Sequence, residues 1–135
     1  RQIRGGTGIK VSDIMVRKPL VAQDSHSVAD IAKMLGLGGF RRLPVVNKGL
    51  LVGMITPRDI LRFLLANRLA DRLPEQRQPV KRIMEKNVVS IQAGQDAHEA
   101  VRIMIGRKIG GLPVMEHQEM VGIVTERDVV DAVGF

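Results

Sequence analysis

Apolar positions along this chain recur with two periods that alternate. Val28, Ile31, Ala32 and Leu35 fall at i, i+3, i+4 and i+7, as do Ala97, Ala100, Val101 and Met104, and that spacing puts each set on one face of a helix. Ser27 and Asp96 stand directly before these runs and are the expected N-caps. Each helix is preceded by a short extended stretch, Leu20–Ala22 and Val88–Ile91. Each is followed by two β-rich runs, Leu43–Val46 with Leu50–Thr56 and Leu112–Met115 with Met120–Thr125. Asn47-Lys48-Gly49 is a good hairpin turn, whereas Glu116–Glu119 is a less typical one. A second helix opens at Pro57 and at Glu126; in the first case Ile60, Phe63, Leu64 and Leu69 line one side.

The pattern repeats because the sequence does. Residue n and residue n+69 align without a gap from Val11 to Asp59: Val11, Ile14 and Met15 on Val80, Ile83 and Met84; Leu43, Pro44 and Val45 on Leu112, Pro113 and Val114; Gly53, Thr56, Arg58 and Asp59 on Gly122, Thr125, Arg127 and Asp128. The expected organisation is one repeat over 9–72, a Pro-interrupted linker over 73–79 and a second repeat over 80–135, each βαββα, in a mixed α/β (α+β) class. One such unit is too small to bury its own sheet and helices, so the two are expected to pack face to face. Apolar positions that spill round the helices predict a homodimer.

Composition narrows the chemistry. With no Cys there is no disulfide, thiolate metal site or cysteine nucleophile, in keeping with a cytoplasmic location. Trp and Tyr are absent too, leaving Phe40, Phe63 and Phe135 as the aromatic residues. No apolar run approaches the length that spans a bilayer, so no membrane association is expected. The net charge of +7 is uneven: residues 1–79 hold 14 Lys and Arg against 6 Asp and Glu, and residues 80–135 hold 7 against 8. An excess of that kind can meet a phosphate ligand or nucleic acid, or be a solvated surface. His26, His98 and His117 share no metal-ligand spacing, and neither a serine nucleophile elbow nor a zinc-protease motif is present, so no metal site and no catalytic residue are expected. Gly36-Leu37-Gly38-Gly39 follows a helix and lacks the Lys-Ser/Thr ending of a phosphate loop; it reads as a helix end. The chain opens on Arg1 rather than Met, which leaves room for it to be the regulatory part of a larger enzyme or transporter.

The most specific feature is Gly-h-h-Thr-x-Arg-Asp (h, apolar) where a strand hands over to a helix, present as Gly53–Asp59 and Gly122–Asp128. Thr-x-x-Asp is close to a capping box, and capping alone would account for it. The same residues can also hold a ligand, with Thr capping while Asp accepts hydrogen bonds from a ribose diol. The repeated Gly implies close approach of another group to the backbone.

Taken twice over, the order strand, helix, Leu-Pro-Val strand and Gly-h-h-Thr-x-x-Asp turn resembles a pair of cystathionine-β-synthase (CBS) domains, a Bateman module. The resemblance implies pairing of the two repeats by pseudo-twofold symmetry through their sheets and two clefts for adenosine-containing ligands. It also implies clefts built from both repeats. Carried onto this sequence, one cleft takes Gly122, Thr125 and Asp128 with Leu20, Arg41, Arg42 and Arg58; the other takes Gly53, Thr56 and Asp59 with Val89, Gly110, Gly111 and Arg127. Three guanidinium groups against one make the Asp128 cleft the favoured site for a phosphorylated ligand. The expected ligand is AMP, ADP or ATP, with S-adenosylmethionine behind them and no cofactor required. The expected function is a non-catalytic sensor that relays ligand state to an effector protein or a missing domain. The alternative is a nucleic-acid-binding or protein-interaction scaffold using Arg58, Arg62, Arg68 and Arg72, although without aromatic platforms single strands are a poor fit.

Overall fold

A computed structural model describes residues 6–39, 41–66 and 77–134. Phe40, Arg68, Leu69, Arg72, the start of the expected linker (73–76) and Phe135 lie outside them. In chain order the elements are α1 (Val11–Ile14), β1 (Val16–Arg17), β2 (Ala22–Gln23), α2 (Val28–Gly38), β3 (Leu43–Asn47), β4 (Leu50–Ile55) and α3 (Pro57–Ala66). After a 3-10 turn over Val80–Arg82 come β5 (Ile91–Gln92), α4 (Ala97–Arg107), β6 (Gly111–Glu116), β7 (Glu119–Thr125) and α5 (Glu126–Ala132). The βαββα order appears twice, in a mixed α and β fold with two sheets.

Local chemistry sets these elements as the sequence predicts. The Ser27 hydroxyl accepts from the Asp30 amide at 3.1 Å, and the Asp96 carboxylate accepts from the His98 amide at 2.8 Å. Gly39 ends α2 at φ 67°, a left-handed cap that costs glycine nothing. The β3–β4 hairpin turns through Lys48 and Gly49, both at positive φ; β6–β7 turns through His117, at φ 59°. The first strand of each repeat is shorter and later than expected, pairing only Ala22 with Val45 and Ile91 with Val114 before the ladder ends one residue on. Upstream of those partners stand Pro44 and Pro113, which have no N–H to extend a ladder. Leu20 therefore lies outside the strand and is exposed.

Packing divides the chain otherwise than the sequence repeat does. One compact unit joins the segment up to Pro19 with Val89–Phe135, and the other is Leu20–Val88. In the first, β1 adds to the edge of β7 in a four-stranded sheet ordered β1-β7-β6-β5. Val11, wholly buried, belongs to that unit's core with Ile91, Ala100, Leu112, Val114 and Val124. In the second, β2, β3 and β4 form the sheet, and Val80, also wholly buried, packs with Ile31, Leu43, Val45 and Ile55. The opening segment of each repeat thus completes the core that the other repeat's strands begin.

These arms explain the glycines. A Cβ on Gly122 would stand 2.7 Å from the Val16 carbonyl oxygen and 2.7 Å from the Met15 sulfur. One on Gly53 would meet the Met84 side chain and lie 3.0 Å from the Glu85 carbonyl oxygen. Glu85 exchanges backbone hydrogen bonds with Met54, 2.9 Å each way, as β1 pairs Val16 with Ile123. The close approach expected at both positions comes from the protein's own arm.

The first arm is also held by charge. The Asp96 carboxylate accepts from the Thr7 amide and hydroxyl and the Gly8 amide, at 2.9 to 3.0 Å, besides capping α4. Hydrogen bonds from the His98 amide first, and then from Thr7 and Gly8, lower its pKa from 3.8 to about 2.

Two outcomes follow from this packing. Gly122→Ala destabilises the chain by about 1–3 kcal/mol in urea unfolding. Gly53→Ala costs less, because the half-buried Met84 side chain can move aside whereas the Val16 backbone cannot. For Asp96 the folded carboxyl is the stronger acid, so its stabilising effect is complete above its ordinary pKa of 3.8 and is lost as pH falls toward about 2. Asp96→Asn is therefore less stable than the parent near pH 6, and the gap between their urea midpoints closes on titration to about pH 2.

Candidate functional site

Each Thr-x-Arg-Asp turn closes a hydrogen-bonded ring at the end of a strand. In the second repeat the Thr125 amide and hydroxyl both donate to Asp128 Oδ2, at 2.8 and 2.9 Å, and the Asp128 amide returns a bond to Thr125 Oγ1 at 3.3 Å. In the first, Thr56 and Asp59 do the same at 2.9, 3.1 and 3.4 Å. These are reciprocal capping boxes, and both pairs are part-buried. The capping interpretation is fulfilled at both sites, and it fixes the Thr and Asp side chains without a ligand.

What remains available differs between them. Asp128 Oδ1 has no hydrogen-bond partner among the described residues, whereas Asp59 Oδ1 accepts from Arg62 Nη1 at 3.1 Å. The Asp59 side chain is only 12% exposed, so that guanidinium covers much of what is left of it. Arg127 lies 3.8 Å from Asp131 through its Nε, while Arg58 makes no ion pair among the described residues. Sequence reasoning assigned Arg62 only to a basic stripe and gave Asp131 no role. The acid–base spacings 59/62 and 127/131 were the available signal.

The residues of each expected cleft divide between the two compact units. The unit containing β7 holds Gly122, Thr125, Arg127 and Asp128, with Gly111 paired to Thr125 across the ladder and the Gly110 carbonyl accepting from the Glu126 amide at 3.1 Å. Val89 packs half-buried against the same core. The other unit holds Gly53, Thr56, Arg58 and Asp59, with Arg41 exposed, Arg42 half-buried just before β3, and Leu20 exposed. A cavity of about 410 Å³ in this unit is lined by Asp59, Arg62, Phe63, Ala66, Gln78, Arg82 and Ile83. Among the described residues no helix is long and apolar enough to cross a membrane, and no group of three His, Asp or Glu is placed to hold a metal.

The CBS domain matches residues 11–66 and 80–134. This chain belongs to the CBS domain family.

Protein MJ1225 of Methanocaldococcus jannaschii is 32% identical over 127 residues, covering 89% of this chain and 45% of that protein. Its crystal structure superposes with a TM-score of 0.84 at 30% identity, over 93% of this chain and 48% of that one. CBSX2, crystallised in complex with AMP, superposes at 0.81 with 27% identity, covering 93% and 96%. The CBS domain pair of protein MJ0100, crystallised with 5′-methylthioadenosine and S-adenosyl-L-methionine, superposes at 0.76 with 30% identity, again covering 93% and 96%. The chain spans 45%, 31% and 22% of three curated relatives from Methanocaldococcus jannaschii, so in those proteins the CBS pair is one part of a longer chain.

In this CBS pair the capping boxes contribute stability of their own. Thr125→Ala lowers the unfolding free energy by about 1 kcal/mol in the absence of any ligand, measured by urea unfolding in ligand-free buffer.

Proposed function

We propose that this CBS pair is a non-catalytic sensor for an adenosine-containing ligand, with the Asp128 turn as its principal site. The observation that carries the reading is Asp128 Oδ1, without a hydrogen-bond partner among the described residues, on a carboxylate whose other oxygen is fixed by Thr125. A held carboxylate with one open oxygen is prepared to accept a ribose hydroxyl at little ordering cost. Complexes of two solved CBS relatives with AMP and with S-adenosyl-L-methionine and 5′-methylthioadenosine support the ligand class. Leu20, Arg41, Arg42 and Arg58 are the proposed base and phosphate side of this site, and the Arg58 guanidinium, without an ion pair among the described residues, favours AMP, ADP or ATP. The second site is proposed at Gly53, Thr56 and Asp59 with Val89, Gly110, Gly111 and Arg127.

The relay has a route inside one unit. Strand β7 ends at Thr125 and carries β1 on its edge through Ile123 and Gly122. A ligand that tightens Thr125 and Asp128 bears on the same strand that holds the N-terminal arm. A partner or a further domain reading that arm would sense occupancy. Homodimerisation belongs to the same proposal; each unit exposes apolar side chains on its last helix, Leu61 and Leu65 on α3 and Val130 on α5.

Isothermal titration with AMP, ADP, ATP and S-adenosylmethionine tests the sensor reading. One of them binds, and Asp128→Ala weakens it by about tenfold to a hundredfold, the loss of hydrogen bonds to a charged acceptor. Absence of heat with all four ligands, together with an unchanged thermal midpoint, would rule the reading out. Binding that weakens steeply with salt and prefers nucleic acid would support the basic first half as the functional surface instead.

A further inference from the structure

The two turns match in backbone and cap, and differ one helical turn further along. Position 62 is Arg, and its counterpart in the second repeat, position 131, is Asp. Arg62 engages Asp59 Oδ1 while Thr56 engages Oδ2, so both oxygens of the first-repeat carboxylate are in use within its own unit. Asp131 cannot donate to Asp128. It lies 3.8 Å from Arg127 instead, and Asp128 Oδ1 has no hydrogen-bond partner among the described residues.

We infer that the residue at this register, Arg62 in one repeat and Asp131 in the other, selects which cleft accepts the adenosine ligand, Arg62 acting as an internal plug on the Asp59 site. This rests on the proposed role of the Thr-x-x-Asp carboxylate in holding a ribose diol. The plug is soft. Arg62 is 69% exposed, and exposed ion pairs are individually weak. Its effect comes from competition, because diol hydroxyls and the guanidinium are all donors seeking the same acceptor oxygen.

Titration with AMP distinguishes the possibilities. The parent binds at one site, which Asp128→Ala weakens by about tenfold to a hundredfold. Adding Arg62→Ala to Asp128→Ala restores an event about tenfold tighter than any left in Asp128→Ala alone, and further addition of Asp59→Ala abolishes it. Asp131→Arg in the otherwise unchanged chain weakens the parent event by about tenfold. Arg62→Met, which keeps an apolar stem beside Phe63 and Ile83, serves as a second variant, and thermal midpoints without ligand establish that each variant folds. Parent binding at Asp128 with no gain from either Arg62 variant overturns the plug and leaves the sensor reading standing. Two equal events in the parent overturn it as well. No binding of any adenosine ligand by the parent removes the sensor reading and this inference together.

Discussion

Neither repeat of this chain can finish its own core, and the rest of the structure follows from that constraint. About 60 residues folded as βαββα leave one sheet edge and one end of the core open. The chain closes them with short arms, Val11–Arg17 for one unit and Val80–Glu85 for the other, each anchored by a wholly buried valine. Each arm comes closest to the sheet where the facing strand has no side chain. Gly53 and Gly122 are those places, with Met84 and Met15 lying over them. Asp96 then secures the first arm by gathering the Thr7 and Gly8 amides around the carboxylate that also caps α4.

The same strands carry the candidate sites. Three residues beyond each glycine, a Thr-x-x-Asp turn starts a helix, so the cap and the proposed recognition site use the same atoms. The economy has a physical basis. A capping box holds Thr and Asp in one geometry before any ligand arrives, and the carboxylate has one oxygen more than the cap requires. On the next turn of helix the charge reverses, with Arg62 on Asp59 in one repeat and Asp131 beside Arg127 in the other. Two sites that look equivalent by motif are thereby unequal by electrostatics.

Charge in this protein is informative by position more than by sum. The surplus of Arg and Lys in residues 1–79 invited a nucleic-acid reading along Arg58, Arg62, Arg68 and Arg72. Of the two that are described, Arg62 is committed to Asp59 within its helix, and Arg58 stands beside a Thr-x-x-Asp turn with no ion pair among the described residues. That placement suits a compact phosphate better than a continuous backbone-tracking surface.

The sequence by itself determined the repeat, the element order, the caps at Ser27 and Asp96, the hairpins and the family, because all of these rest on local periodicity and on residue types that act within a few positions of themselves. It identified Thr56, Asp59, Thr125 and Asp128 for the same reason: a capping box is a local object. It could not show that Val11 and Val80 lie buried against strands of the other repeat, since a short apolar stretch carries no record of which sheet edge it will join. The meaning of Gly53 and Gly122 was hidden likewise, because a missing side chain says that something comes close and not what. Tertiary structure alone decided that the visitor is the protein's own arm, and that of two like motifs one carboxylate takes an arginine while the other keeps an oxygen without a partner among the described residues.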